Sequence, residues 1–131
     1  MLTKFFAKKV DLAADATASL RAIGNSTAII EFSPDGKVIS ANPNFLRVMG
    51  YTLDEIKGKH HSMFVDPAER DGSEYQEFWK KLAAGEFHAA EFKRIGKGGR
   101  EIWLQASYNP VMDKSGRLLK VIKCATDATE E

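Results

Sequence analysis

The chain has 131 residues, and its 19 lysine and arginine residues nearly balance its 18 aspartate and glutamate residues. This length is typical of one domain that buries its own core, and the balanced charge excludes a strong electrostatic attraction to nucleic acid. The sequence has no run of about 18 consecutive apolar residues, so no transmembrane segment is expected. Its single cysteine excludes an internal disulfide and is typical of a cytoplasmic protein.

The first segment, residues 1–24, is predicted to be an amphipathic helix appended to the main domain. Within residues 3–23, apolar side chains recur at the three- and four-residue spacings of one helical face. The positions on this face that we assign to a dimer contact are Phe6, Val10, Ala13 and Leu20. So thin a stripe does not stabilise an isolated helix, so the helix is expected to pack on its own domain or on a second copy.

Residues 25–131 are predicted to form one domain of the α+β class. Pro34-Asp35-Gly36 is a turn between two short strands, and Asn42-Pro43 is typical of a helix start. Thr52 and Ser73 each begin a capping-box sequence, so two further helices are expected there, the second being the longest. Glycine-containing turns then separate three final strands, at residues 96–100 and 113–117. Antiparallel hairpins with the helices grouped between them indicate an α+β fold.

Five stretches in this order resemble a PAS domain, and they cover about residues 26–131. They are Phe32–Asn42, Met49–Lys59, Phe78–Glu86, Gly98–Ala106 and Asp127–Thr129. The sequences Lys-His-His-Ser-Met-Phe-Val and Arg-Ile-Gly-Lys-Gly-Gly-Arg-Glu-Ile-Trp look like those of PAS domains in bacterial chemotaxis and aerotaxis transducers (methyl-accepting chemotaxis proteins). The resemblance implies a five-stranded antiparallel sheet with short helices on one face and a small pocket between them.

The resemblance also implies a sensory role. Such a domain senses a small ligand, redox state or oxygen, often as a homodimer, and relays the signal to a downstream signalling domain or a chemotaxis kinase complex. The alternative is a ligand-free PAS module for dimerisation or protein interaction. By the same resemblance, Asp127 and Thr129 couple the last strand to the output, where Thr129 would cap a following helix.

Two cofactors are candidates for the pocket, and an empty pocket is a third reading. Haem b is suggested by His60 and His61, because neutral imidazole is a good axial ligand for iron. FAD is suggested by Trp103, which matches a tryptophan of flavin-binding aerotaxis domains. Those domains carry an Arg-His pair where this chain has Val65-Asp66, and an acidic residue there opposes a pyrophosphate. The remaining candidate cofactor-binding residues are Asn44 and Phe78.

Strand alternation leaves two placements for Trp103. It shares one face with Gln105, Ser107 and Asn109, whereas Ile102, Leu104, Ala106 and Tyr108 share the other. Trp103 therefore lies either in the pocket or on the outer face, under the N-terminal helix or at a dimer contact. No catalytic motif is present, and the glycine-rich residues 96–99 join two strands rather than a strand and a helix, so no enzymatic activity is expected.

Overall fold

The computed structural model describes residues 11–129, and its centre is a five-stranded antiparallel sheet. The strand order across the sheet is β2-β1-β5-β4-β3, with every neighbouring pair antiparallel. The strands are β1 (Ala28–Phe32), β2 (Val38–Ala41), β3 (His88–Ile95), β4 (Glu101–Met112) and β5 (Leu118–Asp127). The predicted α+β class, the five strands and the order of elements are confirmed.

The helices follow the predicted grouping, with four of them between β2 and β3. The helices are α1 (Leu12–Gly24), α2 (Pro43–Met49), α3 (Leu53–Ile56), α4 (Pro67–Arg70) and α5 (Ser73–Ala83). A 3₁₀ turn at His61–Phe64 lies between α3 and α4. Within the described residues, no helix is long and apolar enough to cross a membrane.

Helix α1 differs from the prediction at both ends. It begins at Leu12, because the Asp11 side chain accepts a hydrogen bond from the Ala14 amide and makes Asp11 the N-cap. Phe6 and Val10, assigned to the dimer face, lie outside the described residues. At the other end, the sequence Gly24-Asn25-Ser26 predicts a helix that stops before a left-handed glycine, but Gly24 is the last helical residue and has no positive φ. Of the two described dimer-face residues, Ala13 is exposed and Leu20 is half-buried.

Asparagine side chains hold the end of α1 against the sheet. The Asn42 side-chain oxygen accepts from the Phe45 amide, which caps α2 as predicted, and also from the Ile29 amide, both at 2.9 Å. The Asn42 side-chain nitrogen donates to the carbonyls of Gly24 and Thr27. The α2 cap therefore also fixes where α1 ends.

The two predicted capping boxes have different outcomes. At α3, the Glu55 carboxylate accepts from the Thr52 amide at 2.8 Å, so that box is present. At α5 the prediction is wrong, because Gly72 is the N-cap and Ser73 is already helical. The S-x-x-Q spacing alone does not distinguish a cap from a first helical residue.

The core lies between the concave face of the sheet and the short helices. Alternate residues of β4 point into it, as the sequence pattern indicates. The residues of this core that are at most 1% exposed include Ile30, Phe32, Phe45, Met49, Phe64, Leu104 and Tyr108. Several of these rings lie edge to face; Phe45 and Phe64, for example, have centroids 5.6 Å apart. Side chains thus fill the concave face.

Candidate functional site

His61 is the centre of a buried polar cluster on the concave face. It begins the 3₁₀ turn and is fully buried, with 0% of its surface exposed. Its Nδ1 lies 2.8 Å from the Tyr75 hydroxyl of α5, and its Nε2 lies 2.9 Å from the Tyr108 hydroxyl of β4. One imidazole therefore connects a helix to the middle of the sheet.

The hydrogen bonds of this cluster are assigned one direction, starting from Arg94. Arg94 Nε donates to the Tyr108 hydroxyl oxygen at 3.1 Å, and we assign the Tyr108 proton to the bond with His61 Nε2. A neutral His61 then carries its proton on Nδ1 and donates to the Tyr75 oxygen. The resulting direction is Arg94 to Tyr108 to His61 to Tyr75, and the Tyr75 proton remains available to a further acceptor. We call these four residues the buried relay.

Burial sets the protonation states of the buried relay. Desolvation, followed by the positive charges of Arg94 and Lys123, holds the pKa of His61 well below its ordinary value, so His61 is neutral. Desolvation also raises the pKa of Tyr108 to about 12 and raises that of Tyr75. The centre of the cup thus contains neutral groups that exchange hydrogen bonds beside the guanidinium of Arg94.

Two buried cations flank Tyr108, and sequence reasoning missed both. Arg94 is 1% exposed and pairs with Glu69 at 3.3 Å; Lys123 is 2% exposed, and its Nζ lies 4.7 Å from the Tyr108 ring centroid. Among the ion pairs of the described residues, none includes Lys123. Desolvation, then the charge of Arg94, holds the pKa of Lys123 well below its ordinary value. Alternation could have found it, because Lys123 shares the inner face of β5 with Val121 and Ala125.

The two histidines proposed as haem ligands have other roles in the structure. Both His61 nitrogens contact tyrosine hydroxyls, so binding iron would break one of those hydrogen bonds. His60 Nδ1 accepts from the Ser62 amide at 3.0 Å and so caps the 3₁₀ turn. Its Nε2 packs on Gly36, where an added Cβ would lie only 2.7 Å away. The present side chains do not fit a haem.

The other candidate cofactor residues lie in three different places. Trp103 is 41% exposed on the convex face of the sheet, so it does not contact the concave core. Asn44 donates to the Gly24 carbonyl at 2.9 Å and supports the end of α1. Phe78 alone joins the His61 cluster; its ring lies 4.8 Å from that of Tyr108 and 6.2 Å from that of His61, measured between centroids. The predicted set is therefore not one site.

A groove opens beside the buried relay. It has a volume of about 670 Å³ and lies between the β1–β2 turn, the 3₁₀ turn and the start of α5. Its flat apolar walls come from Pro34, Tyr75 and Trp79, and its charged side chains are Asp35, Arg70 and Asp71. Tyr75 thus contacts both the groove and His61.

The end of β5 is fastened to β4 at Trp103. The Thr129 hydroxyl accepts from the Trp103 amide at 2.9 Å, and the Ala128 amide donates to the Trp103 carbonyl at 2.8 Å. The Asp127 carboxylate accepts from the Thr129 amide at 2.8 Å and orients that residue. Thr129 therefore binds the neighbouring strand rather than capping a helix within the described residues. Its role in signalling stays a prediction.

Comparison with known proteins identifies the family. A model of the PAS fold matches residues 38–125. The chain belongs to the PAS family. It is 43% identical over 113 residues to the biofilm dispersion protein BdlA of Pseudomonas aeruginosa, a match that covers 86% of this chain and 27% of BdlA. It is 30% identical over 94 residues to the aerotaxis receptor of Escherichia coli K12, covering 72% of this chain and 18% of the receptor.

A structural match supports the same fold. A solved Light-Oxygen-Voltage domain, described with a flavin analogue, superposes on this PAS domain with a TM-score of 0.71 at 19% sequence identity. The match covers 86% of each chain. The two curated relatives are much longer, since this chain spans about a quarter of one and under a fifth of the other. The predicted resemblance to PAS domains of chemotaxis and aerotaxis proteins is confirmed.

Proposed function

We propose that this PAS domain is a non-enzymatic sensor for a chemotaxis-type output, and that its stimulus is a small molecule, oxygen or a change of redox state. The observation that carries this proposal is the buried relay, which joins α5 to β4 and β3 through His61. The similarity to BdlA and to the aerotaxis receptor supports the type of output.

The buried relay gives the signal a physical route. A ligand that moves Tyr75 changes its hydrogen bond to His61, and His61 holds Tyr108 on β4. The same strand carries Trp103, to which Ala128 and Thr129 bind at the end of β5. A shift in β4 therefore reaches the residues that would lead into an output segment.

Flavin is the cofactor that the likeness to known proteins supports, but the side chains of the concave face do not fit it. Its support is the likeness to the Light-Oxygen-Voltage domain described with a flavin analogue. Against it, buried rings such as Phe32 and Phe64 fill the concave face, and Trp103 points away from that face. A bound flavin would supply redox chemistry and visible absorbance. The purified chain, incubated with FAD and desalted, should show whether a yellow species is retained.

A ligand-free dimerisation module is the second candidate, and one observation favours it. The concave face is already packed, whereas α1 has no fully buried residue. A helix with this exposure is expected to pack on its own domain or on a second copy, and this candidate function assigns it to a second copy.

A chimaeric receptor separates the two candidates. The chain replaces the matched segment of the E. coli aerotaxis receptor, and the tumbling bias of the cells is recorded in air, in nitrogen and with redox mediators. A sensor should change the bias between conditions, and Tyr108→Phe, which interrupts the buried relay, should reduce that change. A folded chimaera with one fixed bias in every condition would refute the sensor and favour the dimerisation module.

A further inference from the structure

The groove next to Tyr75 contains an unsatisfied donor. Trp79 Nε1 is buried and makes no hydrogen bond with the described residues. The Tyr75 hydroxyl lies nearby, but it is not placed to complete a hydrogen bond with the indole N–H. A buried N–H without an acceptor is costly, and such a group in a native structure calls for an explanation. The residue that bears it lines the groove beside the buried relay.

The charges of the groove select against anions. Asp35 and Asp71 contribute two carboxylates and Arg70 one guanidinium, so these side chains carry one net negative charge. Among residues 11–129, the Arg70 side chain donates to one backbone carbonyl, that of Ser62, at 3.4 Å. The groove thus offers donors and acceptors together, and a ligand that complements it carries both kinds of group without net negative charge.

The walls select for a flat ring. The aromatic faces of Tyr75 and Trp79 and the ring of Pro34 border the groove, and its volume of about 670 Å³ accommodates a molecule of one or two rings. Aromatic side chains bind planar ligands by stacking or edge-to-face contact.

We propose that this groove binds an uncharged planar heterocycle in which a ring carbonyl stands next to a ring N–H, as in a lactam. The carbonyl accepts from Trp79 Nε1, and the ring N–H donates to the carboxylate of Asp71 or Asp35. This assignment rests on the proposed sensory function, because it names the ligand whose binding would change the hydrogen bonds of the buried relay.

The position of Trp79 Nε1 explains how ligand binding would reach the buried relay. Trp79 Nε1 is buried in this structure and the Tyr75 hydroxyl lies close to it, so we infer that a ligand oxygen reaches Nε1 by displacing Tyr75. Tyr75 is bonded to His61 at 2.8 Å, so that shift changes the first link of the buried relay. Ligand binding and the disturbance of His61 are then one event.

The two tryptophans make the test specific. The chain contains only Trp79 and Trp103, which give two indole N–H signals in a nitrogen–proton NMR spectrum. Uracil and lumazine, which both carry the lactam group, are titrated into the full chain. We expect a saturable shift of the Trp79 indole signal with the Trp103 signal unmoved. 1,3-Dimethyluracil, whose ring N–H groups are blocked, should bind at least tenfold more weakly, and benzoate should not bind.

Variants complete the test. Trp79→Phe keeps a ring but removes the N–H, and it should weaken uracil binding at least tenfold; Trp103→Phe is the matched control and should leave the affinity unchanged. Asp71→Asn, on the exposed rim, should weaken binding several-fold without affecting folding. Three results would each overturn the assignment. The first is an unchanged affinity for uracil in both Trp79→Phe and Asp71→Asn, and the second is the absence of a saturable shift with uracil or lumazine. The third is binding of the zwitterion phenylalanine more tightly than uracil.

These outcomes are independent of the chimaera. If lactams bind the isolated chain while the chimaera keeps a fixed bias, the sensory function fails and the site stands. If the chimaera responds to oxygen while no lactam binds, the site fails and the sensory function stands.

Discussion

Tyr108→Phe is the most direct test of the buried relay. The substitution keeps the ring, whose contacts include Phe78 at 4.8 Å and Phe92 at 5.1 Å between centroids, and removes only the hydroxyl. It leaves Arg94 Nε and His61 Nε2 without that partner in a site that water does not reach. A hydrogen bond to a charged donor contributes about 1.5–3 kcal/mol and a neutral one about 1 kcal/mol. The expected loss of unfolding free energy is therefore about 3 kcal/mol.

Urea denaturation followed by circular dichroism measures this loss. With a slope of about 2 kcal/mol per molar urea, the midpoint should fall by about 1.5 M. Tyr51→Phe is the control, because Tyr51 is half-buried and packs on the same core through Phe64, 6.0 Å away between ring centroids. It should change the free energy of unfolding by less than about 1 kcal/mol. Equal effects of the two substitutions would refute the relay as a stabilising network.

The pH dependence gives a second check on the same substitution. Burial raises the pKa of Tyr108 from 10.0 to about 12, so the unfolded chain loses this proton at a lower pH than the folded chain. The contribution of Tyr108 is therefore present below pH 10 and lost as the pH rises towards 12. Two pKa units correspond to about 2.7 kcal/mol, so the difference between wild type and Tyr108→Phe should shrink by about that amount across this range. A constant difference would mean that the hydroxyl is not buried.

Four further predictions concern other parts of the chain. Lys123→Met should raise the unfolding free energy at pH 7 by about 1–3 kcal/mol. Because burial lowers the pKa of Lys123, the stability of the wild type should decline as the pH falls below about 10.5. Denaturation measured across pH should show this decline in the wild type and not in the variant. Thr129→Val should cost about 1 kcal/mol and speed hydrogen exchange at the Trp103 amide, and unchanged exchange would show that the bond is absent in solution. Asp127→Ala in a full-length transducer should lock or scramble output while folding and ligand affinity stay near wild type; normal stimulus-dependent output would leave Asp127 only a structural role. Deleting residues 1–23 should convert a dimer to a monomer in light scattering, and a monomeric parent or an unchanged mass would remove the dimer assignment.

The sequence by itself determined the order of elements and which residues of β4 share a face. The turn at residues 34–36 and the cap at Asn42 follow from local backbone chemistry, which a few neighbouring residues decide. The alternation of β4 separates Trp103 from Leu104 and Tyr108, because successive side chains of a strand point to opposite faces. Local rules of this kind need no knowledge of distant residues.

Only the tertiary structure decided what His61 does. Its two partners lie 14 and 47 residues away in sequence, and it becomes a buried hydrogen-bonded group rather than a metal ligand because α5 and β4 close over it. Alternation places Lys123 on the same face of β5 as Val121 and Ala125, but only the folded sheet shows that Lys123 and Arg94 are both buried beside Tyr108. The groove depends likewise on three segments that meet only after folding. Side-chain burial and partners depend on contacts between distant parts of the chain, and no local pattern specifies them.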